Sequence, residues 1–233
     1  MKNIKQNFVI GKNVKIGKNV KISHNAIIYD NSEIQDGAII GPNVIIGYPL
    51  DGYFKEDPNY NNPATVIGKN CIIRANTTIF CGTKFLEGAK TGVNAVIREN
   101  CTVGKNTLVG ILAQLGSDVN LGDNVSIQTG SHVTSFSTIE NDVFFGAHIV
   151  TTNDSKMLRP CDVANGKKIK LIGITVRRGA RIGSNSTFLP GLEIGANAMV
   201  GAGSIVTKDV PAGKIILGIP ARVLRDVPKE EWL

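Results

Sequence analysis

IGKNVKIGKNVKI, residues 10–22, carries the period that decides the fold: Ile10, Ile16 and Ile22 recur at every sixth position. The register runs on through Ile28, Ile34, Ile40 and Ile46. It resumes at Ile67 and continues through Ile73, Ile79, Phe85, Ile97, Val103, Val109, Leu115, Leu121, Ile127, Val133, Ile139 and Phe145, with only Thr91 out of character. A third block holds Val176, Ile182, Phe188, Ile194, Val200 and Val206. A helix repeats every 3.6 residues and a strand every 2, so neither produces this spacing. A strict period of six is the signature of a β-solenoid.

A second register narrows the shape. Four residues after each large position stands a small side chain, as in Val14, Val20, Ala26, Ser32, Ala38 and Val44, and later Cys71, Thr77, Ala89, Cys101, Ser131 and Val143. One large and one small inward residue per hexad suit a narrow triangular prism. Gly often follows the large residue (Gly11, Gly17, Gly41, Gly104), and Asn comes two positions later (Asn13, Asn19, Asn43, Asn70, Asn106, Asn124, Asn185, Asn197). Both types enter left-handed backbone conformations cheaply, so each corner turns the chain. Three hexads complete a coil, which predicts about nine coils.

At these residues the chain resembles the left-handed parallel β-helix of the hexapeptide-repeat acyltransferases, over roughly residues 8–211. The left hand is implied by the resemblance, because crossover statistics would favour the right. The expected organisation is an all-β solenoid over residues 1–211, with extruded loops at about 48–64 and 151–175. A tail, 212–233, follows, with a short helix within VPKEEWL.

Composition fits one domain: 233 residues, 6% aromatic, as expected for a prism filled by Ile, Val and Ala. MKNIKQNFVIGK is too polar for a signal peptide, and no apolar run reaches a membrane span, so a cytoplasmic protein is expected. Cys71 and Cys101 fall in the inward register and read as core; Cys81 falls at a corner and Cys161 in a loop, with no CxxC spacing. The net charge of +7 is scattered over corner lysines. Only Lys167, Lys168, Lys170, Arg177, Arg178 and Arg181 are locally dense. No aromatic residues interleave with them, which argues against nucleic acid and for a small polyanion such as coenzyme A or a nucleoside diphosphate.

The two breaks are where function on a rigid scaffold gathers. The first, YPLDGYFKEDPNYNNPA, reads as a surface decoration or as a lid over a nucleotide-linked substrate. The second, TTNDSKMLRPCDVANGKKIKLIGIT, follows NDVFFGAHIV and precedes ARIGSNSTFLPGLEIGANAMVGAGSIVTKDVPAGKIILGIPARVLR. That ensemble resembles the branch of the family that acylates amino sugars carried on nucleotide diphosphates. The resemblance implies acetyl-coenzyme A or another acyl-coenzyme A as co-substrate, no metal, and a homotrimer with sites between prisms. It implies that amides around Gly201, Ala202 and Gly203 hold the pantetheine arm, that Lys208 and Arg222 meet the phosphates, and that Ile219 and Pro220 flank the adenine.

Acyl transfer needs a base for the nucleophile's proton and donors for the oxyanion. Of three histidines, His24 lies in a regular coil. His132 and His148 fall on neighbouring coils about 8 Å apart, facing outward, with His148 at a corner that normally carries Asn. His148 and His132 are the expected bases, with Glu99 and Asp154 as rivals. Relatives carry a histidine near the positions of Val93 or Ser135, so the base does not transfer simply. The favoured function is N-acylation of a nucleotide-linked amino sugar for surface glycan synthesis; the alternative is O-acetylation of serine or a simple sugar. A carbonic anhydrase of this fold would need three converging histidines. An ice-binding solenoid would show flat Thr arrays without break loops.

Overall fold

The structure, a computed structural model, describes residues 7–233. The first six residues, part of the expected solenoid and of the polar N-terminus, lie outside the described residues. From Phe8 onward the chain winds as a parallel β-helix with three faces. Almost every hexad contributes a two-residue strand that pairs in parallel with its counterpart one coil later, as Val96 does with Gln114 and Gln114 with His132. The faces hold ten, nine and eleven strands among the described residues, the last including one antiparallel strand, so the coil count differs slightly from the nine expected. The first face runs from Val9–Ile10 to Ile205–Val206, the second from Lys15–Ile16 to Glu193–Ile194, and the third from Lys21–Ile22 to Met199–Val200 and beyond.

Both inward registers are where the period places them. Every large-register residue from Ile28 to Val206 is at most 2% exposed, as are Ala38, Cys71, Ala95, Cys101 and Val143 of the small register. The first coil is the exception: Ile10 and Ile16 are 41% and 44% exposed, because no coil among the described residues lies beneath them. Polar residues enter the core by completing hydrogen bonds. Thr83, Thr107 and Ser131 donate from their hydroxyls to the carbonyls of Arg98, Gly122 and Gly146 at 2.7–2.9 Å. Thr91, the break in the large register, accepts the Arg74 N–H at 2.9 Å and contacts the Thr77 hydroxyl at 3.2 Å. Burial pushes the Cys71 thiol up to about 11 and the Cys101 thiol up to about 12, so neither is a nucleophile near neutral pH. Cys81, expected at a corner, is fully buried there.

The corners use the left-handed region. Asn13, Asn19, Asn43, Asn70, Asn106 and Asn124 all have φ near +55°. Their amides also stack between coils, Asn43 donating to Asn76 at 3.0 Å and Asn124 to Asp142 at 3.0 Å.

Both loops leave the same edge, between the first and second faces. The first follows Ile45–Tyr48, forms a short helix α1 (Asp51–Phe54), and returns at Val66–Ile67. The second follows Val150–Thr151, forms α2 (Pro160–Ala164), and returns at Thr175–Val176. The C-terminal tail differs from expectation. Lys214–Gly218 continues the third face by pairing with Met199–Val200, and Ala221–Asp226 folds back on it as an antiparallel strand. A 3-10 turn, Lys229–Glu231, is the only helical piece within VPKEEWL. The apolar run Ile215–Leu217 in KIILG supplies the extra strand, with Ile215 and Ile216 buried at 7% and 5% exposure. Among the described residues, no helix is long and apolar enough to cross a membrane.

Candidate active site

The edge between the third and first faces carries a ladder of corner residues, one per coil. Asn25, Asn43, Asn76 and Asn94 hold φ of +55° to +59°. The ladder then changes for three successive coils, to Leu112 (φ +55°), Gly130 (φ +67°) and His148 (φ +55°), before Asn185 restores it. Leucine in this region is strained, since its Cβ crowds the backbone, and Leu112 and Ile111 stand 55% and 45% exposed. The Asn register breaks at 112, and also at Phe136 (φ +66°) on the neighbouring edge.

Gly130 is what lets the His148 ring lie down. A Cβ at position 130 would come within 2.6 Å of both Cε1 and Nδ1 of that ring. The His148 backbone is fixed by its N–H donating to the Thr129 carbonyl at 2.9 Å. Its side chain is exposed, and neither ring nitrogen has a hydrogen-bond partner among the described residues. His132 sits on the first face, aligned with Val150 one coil above and Gln114 one coil below. It is half-buried, its Nδ1 lies 3.4 Å from the Gln114 Oε1, and burial lowers its pKa from the usual histidine value.

The two carboxylates expected nearby lie elsewhere. Glu99 stands at the edge between first and second faces and is held by Arg98, through Nε at 3.0 Å and Nη2 at 2.7 Å. Asp154 begins the second loop on that same far edge, a whole face away from His148. Its Oδ1 accepts the N–H groups of Lys156 and Met157 at 2.8 and 2.7 Å, shaping the loop's first turn. The structure therefore brings His132 and His148 together and leaves Glu99 and Asp154 apart from them. Six residues of separation carry Asp154 along a strand and around a corner; sequence adjacency to the histidine concealed that.

The residues expected to meet the acyl donor divide into two groups. Gly201, Ala202 and Gly203 form the corner two coils above Gly146–His148 on the same edge, stacked through Gly183 and Ser184. The Gly201 N–H already donates to Ile216 at 2.8 Å, and the Gly203 N–H donates to Ser184 at 2.8 Å. Lys208 and Arg222 line one cavity of about 150 Å³ with Thr207, Asp209, Ile216 and Val223. Ile219 and Pro220 form the hairpin tip, with Ile219 72% exposed.

The dense basic stretch is largely neutralised. Arg177 bridges Glu140 and Glu193 at 2.8 and 2.9 Å, Arg178 pairs with Asp142 at 3.1 Å, and Arg181 reaches Glu231 at 2.6 Å. Stacked coils bring these partners level, which linear sequence hides. On the second loop, Lys156 and Lys168 line a cavity of about 690 Å³ together with Arg159 and Lys167, which both pair with Asp162. No group of three or more His, Cys, Asp or Glu side chains among the described residues is placed to hold a metal ion.

Known proteins share this architecture. A family described as "Bacterial transferase hexapeptide (six repeats)" matches residues 13–48 and 173–208, and "Hexapeptide repeat of succinyl-transferase" matches 94–135. The chain is similar to the galactoside O-acetyltransferase of Escherichia coli, 46% identical over 54 residues, which is 23% of this chain and 27% of that protein. It is also similar to the serine acetyltransferase of Buchnera aphidicola, 34% identical over 109 residues, 45% of this chain and 34% of that one. The matches thus span only 27% to 34% of the length of these curated relatives. The solved UDP-N-acetylglucosamine acyltransferase of Francisella novicida superposes with a TM-score of 0.57 at 18% identity, covering 88% of this chain and 70% of that one, a likeness of fold. Repeat, coil geometry and family matches agree: the chain belongs to the hexapeptide-repeat family.

Proposed function

We propose that the chain is an acyl-coenzyme-A-dependent N-acyltransferase, acetyl in the first place, acting on the amino group of a nucleotide-diphosphate-linked amino sugar for surface glycan synthesis. The observation that carries the reading is the unpartnered imidazole of His148 on the same edge as the Gly201–Gly203 corner, two coil rises or about 10 Å below it. The imidazole there takes the proton of the attacking amine as its nitrogen bonds to the thioester carbon. The carbon–sulfur bond then breaks, and the departing thiolate takes the proton back from the imidazolium. Lys208 and Arg222 meet the donor's phosphates, with Ile219 and Pro220 against the adenine. Assembly as a cytoplasmic homotrimer would enclose this open edge with a neighbouring prism.

A second reading, O-acetylation of a simple hydroxyl acceptor, draws support from the 46% identity to a galactoside O-acetyltransferase. A thiol-release assay with acetyl-coenzyme A decides between them. The panel contains nucleotide-linked amino sugars, free amino sugars, galactosides and serine. Turnover greatest on nucleotide-linked amines supports the first reading; turnover confined to hydroxyl acceptors replaces it with the second.

A further inference from the structure

The first loop encloses a cavity that the proposed chemistry does not use. It measures about 230 Å³ and is walled by Tyr29, Tyr53 and Tyr60, with Asp30, Asp57 and Asn61 around them. The walls are perpendicular: Tyr29 and Tyr53 have ring centroids 5.9 Å apart at 87°, and Tyr53 and Tyr60 lie 6.3 Å apart at 70°. The floor is tied down. Asn62 donates to the Gly47 carbonyl at 2.9 Å and accepts the Tyr60 hydroxyl at 2.7 Å, while Asn31 donates to Asn61 Oδ1 at 2.9 Å.

What remains free is a set of polar atoms around an apolar wall. Asp30 and Asp57 each commit one oxygen to a backbone N–H, of Lys12 at 2.7 Å and of Asn59 at 2.9 Å. Their second oxygens, the Tyr29 and Tyr53 hydroxyls and the Asn61 amide nitrogen have no partner among the described residues. A pocket with aromatic walls and a few convergent polar groups is the general form of a small-ligand site. Its charge narrows the class. Two carboxylates and no basic side chain line it, so it repels phosphate in a chain that is otherwise net positive.

We propose that this cavity binds a non-phosphorylated hexose ring of a glycan, with an amino-bearing ring preferred. The sugar's apolar face lies against a tyrosine, its hydroxyls meet Asp30, Asp57 and Asn61, and an ammonium is favoured by carboxylate and ring together. The site is separate from the acyl-transfer edge: the strands Ile45–Tyr48 and Val150–Thr151 on the first face are five coil rises apart, about 24 Å. It is independent of the catalytic reading, and its test requires no turnover.

Isothermal titration of the full chain, backed by NMR line broadening of the ligand, uses three probes: methyl glucosaminide, methyl glucoside and glucose 6-phosphate. The expected order is glucosaminide, then glucoside, with the phosphorylated sugar weakest, at dissociation constants on the order of 1 mM for a single ring. Tyr53→Ala, at a side chain half exposed, is expected to weaken both unphosphorylated sugars about tenfold. Asp57→Asn is expected to reduce the preference for the amino sugar about threefold while the glucoside still binds. Absence of binding by the wild type, tighter binding of the phosphorylated sugar, or binding indifferent to both substitutions would overturn the proposal. Circular dichroism of each variant confirms that the solenoid persists.

Discussion

The two loops leave the same edge of one prism and are built from opposite chemistry. The first is aromatic and acidic. Tyr48 packs on Phe80 at 4.9 Å and on Phe54 at 5.8 Å, Tyr53 on Tyr29, and Asn62 is buried in a closed hydrogen-bond set. The second is basic and held by charge. Arg159 and Lys167 clasp Asp162 at 2.9 and 2.7 Å, while Met157 and Val163 stand 80% and 58% exposed. One loop is glued to three coils by apolar contact and directed hydrogen bonds; the other is braced within itself by ion pairs that water and salt weaken. A rigid pocket and an adaptable arm have been grown on the same scaffold, and only the second shares its coils with His148.

The contrast breaks most sharply at His148. His148→Asn restores the corner residue preferred at φ +55°, so the fold should be kept or slightly stabilised. Loss of a general base costs about 10²- to 10⁴-fold, and kcat should fall by that order at neutral pH with partial recovery at higher pH. Near-wild-type turnover in this variant, with His132→Asn inactive, would move the base one coil down. Full activity in both would mean that the amine is bound already deprotonated and that the chemistry of the upper half is orientation alone.

The next effect is expected in the first loop and in stability. Asn62→Ala removes the partner of the Gly47 carbonyl and of the Tyr60 hydroxyl in a buried setting, a loss of about 1–3 kcal/mol. Chemical denaturation should show the shift, with hydrogen exchange locating it between residues 48 and 65. A change below about 0.3 kcal/mol would mean that the aromatic contacts alone close the loop.

Smaller again are the effects expected of the proposed donor contacts. Lys208→Ala or Arg222→Ala should raise the Michaelis constant for the acyl donor about tenfold and leave that for the acceptor unchanged, because a phosphate lies far from the transferred group. Unchanged constants would make the 150 Å³ cavity a surface feature and place the donor elsewhere along the edge.

How much of this was legible follows from the range of each interaction. The coil is local: six residues set an inward pair and a corner, so the period at Ile28 or Val133 reads directly as burial. The Asn corner is equally local, and the odd residue at His148 stands out in the string, whereas Leu112 is recognised only once its φ of +55° is known. What stacks one coil above another was only partly readable. The 18-residue coil places His132 near His148, yet the arginine–carboxylate pairs such as Arg178–Asp142 join residues across an inserted loop. Insertion breaks the arithmetic that would align them. The same loop hid the fact that Asp154 turns away around a corner. The strand in the tail is not legible because KIILG carries no hexad, and the strand pairs with an edge that Met199–Val200 offers only in the folded prism.

The smallest expected effect tests the charge-held arm by itself. Arg159 first, and then Lys167, hold the Asp162 carboxyl down to about 2, well below the usual carboxylate range. A carboxylate whose native pKa is depressed stabilises its surroundings above its unfolded pKa, near 4, and loses that contribution as pH falls from there towards 2. The carboxylate is covered mainly by partners that are themselves 74% and 60% exposed, so salt should reach it as well. Hydrogen exchange at residues 155–170 should therefore accelerate on acidification below pH 4 and on added salt at neutral pH, while residues 48–65 stay protected in salt. Asp162→Asn should show the faster exchange already at pH 7 in low salt and respond little to more of it. Equal salt responses in both loops would erase the distinction between a glued pocket and a charged arm.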